Sequence, residues 1–137
     1  MPNTVSNQQK STNQTQANEK LKILFVSPEV APYSKVGGLA DVVWALPRSL
    51  RELGHDVRIF TPKFGAIDEK KYKFEPVLKN LKVPGGNEDI LTCNIKLGHI
   101  PDEIPVYLLE NKEYYEIRAN VYGYADDTRR WLLLCRG

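Results

Sequence analysis

Apolar positions first divide the chain into strand and helix segments. The run LKILFV at 21–26 is apolar except for one lysine, which predicts a strand that is buried on both faces. Six apolar residues at helical spacing then predict one apolar stripe on a helix; they are Leu39, Val42, Val43, Leu46, Leu50 and Leu53. HDVRIFTP at 55–62 predicts a second strand. Strand, helix and strand form a βαβ unit, so a parallel sheet is expected.

Two residues predict irregularities in that helix. Pro47 has no backbone N–H group, so it is expected to interrupt the helix and kink its axis. Gly54 is expected to supply the C-terminal stop, because glycine adopts the left-handed conformation that commonly ends a helix.

Beyond Pro62 the pattern is less regular but still alternates between strand and helix. Strands are predicted over 72–83 and 89–98, separated by the turn PGGN at 84–87, which favours a hairpin. IPVYLLE at 104–110 predicts a further strand. DDTRRWLLLCR at 126–136 predicts a helix, with an aspartate at its start and an arginine at its end to suit the helix dipole.

The last predicted helix is apolar almost all round, from Trp131 to Cys135. Such a helix is expected to be covered on most sides, and the chain stops two residues later. We therefore expect residues 21–137 to be a truncated part of a longer α/β domain.

The composition adds a polar tail to this picture. The first twenty of the 137 residues are almost entirely Asn, Gln, Ser, Thr and Lys, so residues 1–20 are expected to be disordered. They contain neither an apolar core nor an arginine, which argues against a secretory signal and a transit peptide. No later apolar run approaches the roughly 20 residues that cross a bilayer. A cytoplasmic protein with no membrane partner is expected.

Charge and cysteine spacing exclude two further classes. The formal net charge is +2, with basic and acidic residues interspersed, so no nucleic-acid partner is expected. Cys93 and Cys135 match no metal-ligand or redox spacing. They are expected to be reduced and to act as small apolar fillers, Cys93 on a strand and Cys135 on a helix.

The stretch KVGGLADVV at 35–43 carries the candidate chemistry, because it lies where the first strand gives way to the helix. Ligands of open α/β sheets bind beyond the carboxyl ends of strands. Gly37 and Gly38 would let an anion reach the backbone N–H groups at the helix start, and Lys35 would add a charge. The alternative is that the glycines only permit a tight turn and Lys35 is solvated. The spacing matches neither the dinucleotide fingerprint nor the P-loop.

The stretch SPEVAPYSKVGGLADVVWALPRSLRELGHDVRIFTP at 27–62 resembles the N-terminal signature of bacterial glycogen synthases and plant starch synthases. YGYADDTRRWLLLCRG at 122–137 is similar to a second stretch of that family, Y-x-D-[DN]-x-x-R-[FW]. The resemblance runs from about residue 21 to the end. It implies a partial Rossmann-like N-terminal domain of a GT-B glycosyltransferase.

The resemblance also implies an activity and a set of site residues. Enzymes of this family transfer glucose from ADP-glucose to the non-reducing end of an α-1,4-glucan acceptor, with retention and with neither a metal nor another cofactor. Family positions near the nucleotide sugar match Lys35, Gly37 and Gly38. Acidic positions lining the cleft near the acceptor match Glu29 and Asp41, with Glu29 expected to project into the cleft. A tyrosine near the same subsite matches Tyr115.

Other family groups have no counterpart here. The arginine and lysine that stabilise the departing diphosphate belong to the second domain, as does the acid that grips the glucose. A catalytic residue is therefore not expected in this chain, which alone should be inactive. Two alternatives stay open: a short non-catalytic module that binds glucan or a synthase subunit, and a synthase that uses UDP-glucose. The missing C-terminal domain or another subunit is a further expected partner.

Overall fold

The computed structural model describes residues 19–86 and 88–137, and the predicted α/β class is confirmed. Its strands and helices in chain order are β1 (Lys22–Val26), α1 (Gly38–Glu52), β2 (Asp56–Pro62), α2 (Glu69–Tyr72), β3 (Glu75–Gly86), β4 (Asp89–Ile100), β5 (Ile104–Glu110) and α3 (Asp127–Arg136). A π-helical turn occupies Lys112–Glu116. The predicted tail over 1–20 lies outside the described residues, apart from Glu19 and Lys20.

The five strands form one mixed sheet in the order β1-β2-β5-β4-β3. β1, β2 and β5 are parallel neighbours, as the βαβ pattern predicted. β4 runs antiparallel to β5 and pairs with β3 in the predicted hairpin. The short helix α2 after β2 was not expected. Among the described residues, no helix is long and apolar enough to cross a membrane.

The core lies on the two central strands. Val57 and Ile59 of β2 are fully buried, and so are Ile104, Val106, Leu108 and Leu109 of β5. Both strands lie in the interior of the sheet, and α1 packs against β2. The carboxyl ends of β1, β2 and β5 lie at the same edge of the sheet, which places the loops that follow them together.

The prediction that β1 is buried on both faces is wrong for the described residues. Leu24 is 59% exposed and Val26 is 49% exposed. β1 lies at the margin of the sheet, so fewer neighbours cover it than cover β2. Leu24 contributes instead to an open groove of about 470 Å³, which Phe60 and Tyr107 also line.

α1 forms where it was predicted, but a different face packs on the sheet. Its buried residues are Ala40, Val43 and Pro47, whereas four residues of the predicted stripe are exposed: Leu39, Val42, Leu46 and Leu53. The helix continues through Pro47 as one element instead of being interrupted there. Gly54 ends it as expected, with φ +95°.

Among the described residues, α3 is covered on one face and not on most sides. Leu133 and Leu134 are buried, whereas Leu132 is 48% exposed. The two cysteines also differ in burial. Cys93 on β4 is buried, as predicted, and Cys135 on α3 is exposed, against the prediction.

A cluster of charged side chains joins the loop after β2 to β4 and β5. The carboxylate of Glu69 accepts hydrogen bonds from the ammonium groups of Lys63 at 2.6 Å and Lys96 at 2.8 Å. Lys96 also contacts Glu110 at 2.8 Å. The bonds from Lys63 and Lys96 hold the pKa of Glu69 below its ordinary value.

The substitution Glu69→Gln is expected to destabilise the protein more at pH 7 than at pH 3. A carboxyl group whose pKa is lowered on folding contributes stability that is present above its unfolded pKa, near 4.5, and is lost as the pH falls through the folded pKa. Because the side chain is 43% exposed, the effect at pH 7 should stay below about 1 kcal/mol. Urea unfolding at both pH values measures it, with Glu52→Gln on the exposed end of α1 as the control. Equal destabilisation at the two pH values would contradict the role of the charge.

Candidate functional site

A cleft opens at the carboxyl ends of β1, β2 and β5, where ligands of open α/β sheets bind. Its volume is about 290 Å³. Three loops line it: one follows β1, one follows β2 and one follows β5. The lining residues are Tyr33, Ser34, Lys35, Val36, Phe64, Ala66, Ile67, Ala119, Asn120 and Val121. Among these lining residues, Lys35 is the only one with a charged side chain.

Lys35 and Asp41 form an ion pair, although the sequence assigned them to different subsites. The Lys35 ammonium group donates to both oxygens of the Asp41 carboxylate, at 2.7 and 2.8 Å. The two side chains are 53% and 59% exposed. An exposed pair of this kind contributes about 0–1 kcal/mol, so little free energy is lost when Lys35 and Asp41 separate.

Gly37 and Gly38 lie in the glycine loop, which we define as residues 34–38. Gly37 has φ −148° and ψ −158°, an extended conformation that residues with side chains adopt readily. A Cβ atom added at either glycine would meet no other atom within 4 Å in the described structure. The tight-turn explanation therefore fails here. Neither the backbone conformation nor the packing of the described residues requires glycine.

Glu29 follows β1, as expected, but its carboxylate does not project into an open cleft. The residue is 3% exposed. Its Oε2 accepts the backbone N–H groups of Val36 at 2.8 Å and Gly37 at 3.1 Å, and its Oε1 accepts the hydroxyl of Tyr122 at 2.5 Å. Burial raises the pKa of Glu29, but these three hydrogen bonds together hold it below its ordinary value.

Tyr115 is not at the cleft surface, which corrects the sequence-based assignment. The residue has no exposed surface, and its hydroxyl donates to the carbonyl oxygen of Arg130 at 2.5 Å. Its ring packs edge-on against Phe64 at a centroid distance of 5.9 Å. Tyr115 therefore belongs to the core, where burial raises its pKa.

The sequence analysis assigned no role to Tyr122 or Arg130. Both lie in the quoted stretch 122–137, and Arg130 is the arginine of the family pattern, but the sequence does not indicate which residues they contact. Arg130 is fully buried, and its guanidinium group donates to the carbonyl oxygens of Tyr114 at 2.8 Å and Val121 at 2.7 Å. It thereby fixes residues 117–126, which we call the tyrosine loop.

The acidic residues of that second stretch also shape the tyrosine loop. Asp126 accepts two hydrogen bonds from Arg118, at 3.0 and 2.6 Å. Asp127 accepts the backbone N–H group of Gly123 at 2.8 Å and the guanidinium of Arg130 at 2.8 Å. The two aspartates are therefore engaged in holding the loop.

Comparison with known proteins identifies the family of this chain. Glycogen synthases of Geotalea uraniireducens and Moorella thermoacetica are each 43% identical to this chain, over 124 and 122 residues. The alignments cover 85% and 87% of this chain but 25% and 23% of those proteins. The chain thus spans about a quarter of the length of the curated relatives it matches.

A solved structure shows the same fold. The catalytic domain of starch synthase IV from Arabidopsis thaliana, bound to ADP and acarbose, superposes with a TM-score of 0.77 at 27% identity. The match covers 86% of this chain and 24% of that one. The described residues thus form part of a glycosyltransferase catalytic domain.

The family model for the starch synthase catalytic domain matches residues 22–137. That range contains both stretches on which the resemblance was based and every residue of the cleft lining. The chain belongs to the starch synthase catalytic domain family of glycosyltransferases.

Proposed function

We propose that this chain forms one side of the active-site cleft of a synthase, the side that contacts the nucleotide sugar. The synthase would transfer glucose from ADP-glucose to the non-reducing end of an α-1,4-glucan. Family membership supports the reaction, and the ADP in the related plant structure supports the donor class. Lys35, Gly37 and Gly38 are the proposed donor site: Lys35 and the Gly38 N–H would bind the anion, and the missing side chain of Gly37 would leave room for it. Asp41 is adjacent through its ion pair with Lys35.

The open space around Gly37 and Gly38 is the observation that carries this proposal. Since no described atom lies within 4 Å of a Cβ at either position, the space is available for a ligand that approaches the backbone. α1 begins at Gly38 without a side-chain cap, so its first N–H groups can donate to a phosphate. Lys35 supplies the positive charge at the same place.

Catalysis needs more cationic groups than this cleft contains. The diphosphate that leaves a nucleotide sugar develops negative charge, which preorganised cations stabilise in the transition state. Lys35 is the charged residue of the described lining, and Asp41 already pairs with it. We therefore propose that other parts of the synthase supply the remaining cations, and that the 137-residue chain alone does not elongate glucan.

Lys35→Ala is expected to weaken ADP binding by roughly 10–100-fold, because a hydrogen bond to a charged group contributes about 1.5–3 kcal/mol. Gly38→Ala should also weaken binding, since its methyl group enters the proposed ligand space. It should leave stability unchanged or slightly raised, because alanine favours helix more than glycine. An NMR titration of the chain with ADP measures affinity, and urea unfolding measures stability.

The matched control is Lys79→Ala on β3, an exposed lysine on the strand at the opposite margin of the sheet. It should bind ADP like the wild type. Equal affinities of the wild type, Lys35→Ala and Gly38→Ala would contradict the proposed site. A parallel titration with UDP tests the alternative donor, and tighter binding of UDP would favour it.

A further inference from the structure

We propose that Glu29 and Tyr122 form a tie that fixes the glycine loop, and that Glu29 acts as a positioning residue and not as a ligand contact. The tie consists of three hydrogen bonds to one buried carboxylate: two from the loop amides of Val36 and Gly37, and one from the Tyr122 hydroxyl. It concerns the loop to which the proposed function assigns the nucleotide sugar, so its meaning for binding rests on that function.

The burial of Glu29 argues against direct contact with a sugar. A carboxylate offers about four acceptor sites, and three of them are occupied here within the protein. Only 3% of the residue is exposed, so a substrate hydroxyl has almost no surface to approach. A buried charge is costly unless it is hydrogen-bonded, which explains why three donors converge on this group.

The tie also joins two parts of the chain that are far apart in sequence. Glu29 and Tyr122 are 93 residues apart. The ring of Tyr122 packs against Trp131 at a centroid distance of 5.5 Å, and Arg130 holds the neighbouring carbonyl of Val121 at 2.7 Å. The tyrosine loop is therefore anchored to α3, and through Tyr122 and Glu29 it holds the glycine loop.

The direction of the tied amides determines which groups face a ligand. The N–H groups of Val36 and Gly37 point at Glu29, so they are not available to an anion. Gly38, which begins α1, is the next donor along the chain, and Lys35 lies on the other side of the tied pair. By fixing Val36 and Gly37, Glu29 sets the positions of the groups on either side of them.

Tyr122→Phe tests the tie, because it removes one hydroxyl and keeps the ring against Trp131. The first readout is the titration of the Glu29 carboxyl carbon by NMR. It should move to higher pH in the variant, since a hydrogen bond that favours the charged form is lost. Asp41, the charged group whose field also acts on Glu29, is unchanged. The second readout is amide hydrogen exchange, which should become several-fold faster at Val36 and Gly37 but not at the buried amides of β5.

Tyr124→Phe is the matched control, because its hydroxyl accepts the N–H group of Asn120 at 3.0 Å in the same loop. It should leave the titration of Glu29 unchanged. Glu29→Gln is the second variant. In the wild type, exchange at Val36 and Gly37, corrected for intrinsic rates, should become faster at acid pH once Glu29 is protonated, and in Glu29→Gln this dependence on pH should be lost.

An unchanged Glu29 titration in Tyr122→Phe, or exchange that accelerates equally in the loop and in β5, would overturn the proposal. A localised change at Val36 and Gly37 would support it. Neither readout uses a nucleotide, so failure of the chain to bind ADP would contradict the proposed donor site at Lys35 and Gly38 without affecting this test.

Discussion

Arg130→Met is expected to lower the free energy of unfolding by roughly 2–4 kcal/mol, because each buried acceptor left without a donor costs about 1–3 kcal/mol. Arg130 has no exposed surface. Its guanidinium group bonds to Asp127 and to the carbonyl oxygens of Tyr114 and Val121. Methionine keeps much of the volume but donates no hydrogen bond, so these acceptors lose a buried donor. Small domains have a free energy of unfolding of only about 5–15 kcal/mol, so this substitution should remove a large fraction of the stability of the protein.

Arg129→Met is the control for that experiment, because it makes the same change at an adjacent but exposed residue. It should alter stability by no more than about 0.5 kcal/mol. Urea unfolding is best followed by far-UV circular dichroism, because the fluorescence of Trp131 would report the substitution next to it. Equal midpoints for the two variants would show that Arg130 does not hold the tyrosine loop.

Gly65→Ala is expected to lower the free energy of unfolding by about 2–3 kcal/mol, which is in the range observed when extra volume is forced into a packed site. A Cβ atom at Gly65 would lie 1.9 Å from the carbonyl oxygen of Glu116. That atom belongs to the backbone of the π-helical turn, so it cannot rotate away as a side chain would. The loop after β2 must therefore move, and with it Phe64 and Ile67 of the cleft lining.

Gly37→Ala is the stability control for Gly65→Ala. No described atom lies within 4 Å of its Cβ position. The free energy of unfolding of this variant should therefore lie within about 0.5 kcal/mol of the wild-type value. Thermal unfolding of the two variants provides the comparison. If both glycines tolerate alanine equally, the close approach of Gly65 to Glu116 does not constrain the fold.

Much of the secondary structure was predictable because its signals are local. The bounds of β5 coincide with the apolar run 104–110, and Gly54 ends α1 with a positive φ. The buried face of α1 was not predictable in the same way. The helix carries apolar residues on more than one side, and only the position of the sheet decides that Val43 and Pro47 pack while Leu46 does not.

The position of the cleft was predictable, whereas the contacts around it were not. A parallel β1 and β2 place the loops that follow them at one edge of the sheet, and Lys35 of the stretch 35–43 is in the cleft lining, but its role toward a ligand stays a prediction. The bond between Glu29 and Tyr122 spans 93 residues, so no local pattern could indicate it. Tyr115 was assigned to the cleft on resemblance alone, and its full burial results from tertiary packing in the core, which includes Phe64.

The marginal position of β1 has a practical consequence for every experiment on the purified chain. Among the described residues β1 pairs only with β2, so a row of its N–H and C=O groups is open beside Leu24 and Val26. Open strand edges with apolar neighbours are templates on which further strands add. Self-association at high protein concentration is therefore a competing process, and unfolding midpoints need to be measured at two concentrations at least tenfold apart. Lys22 at the start of β1 places a charge on this edge, which opposes the addition of a further strand.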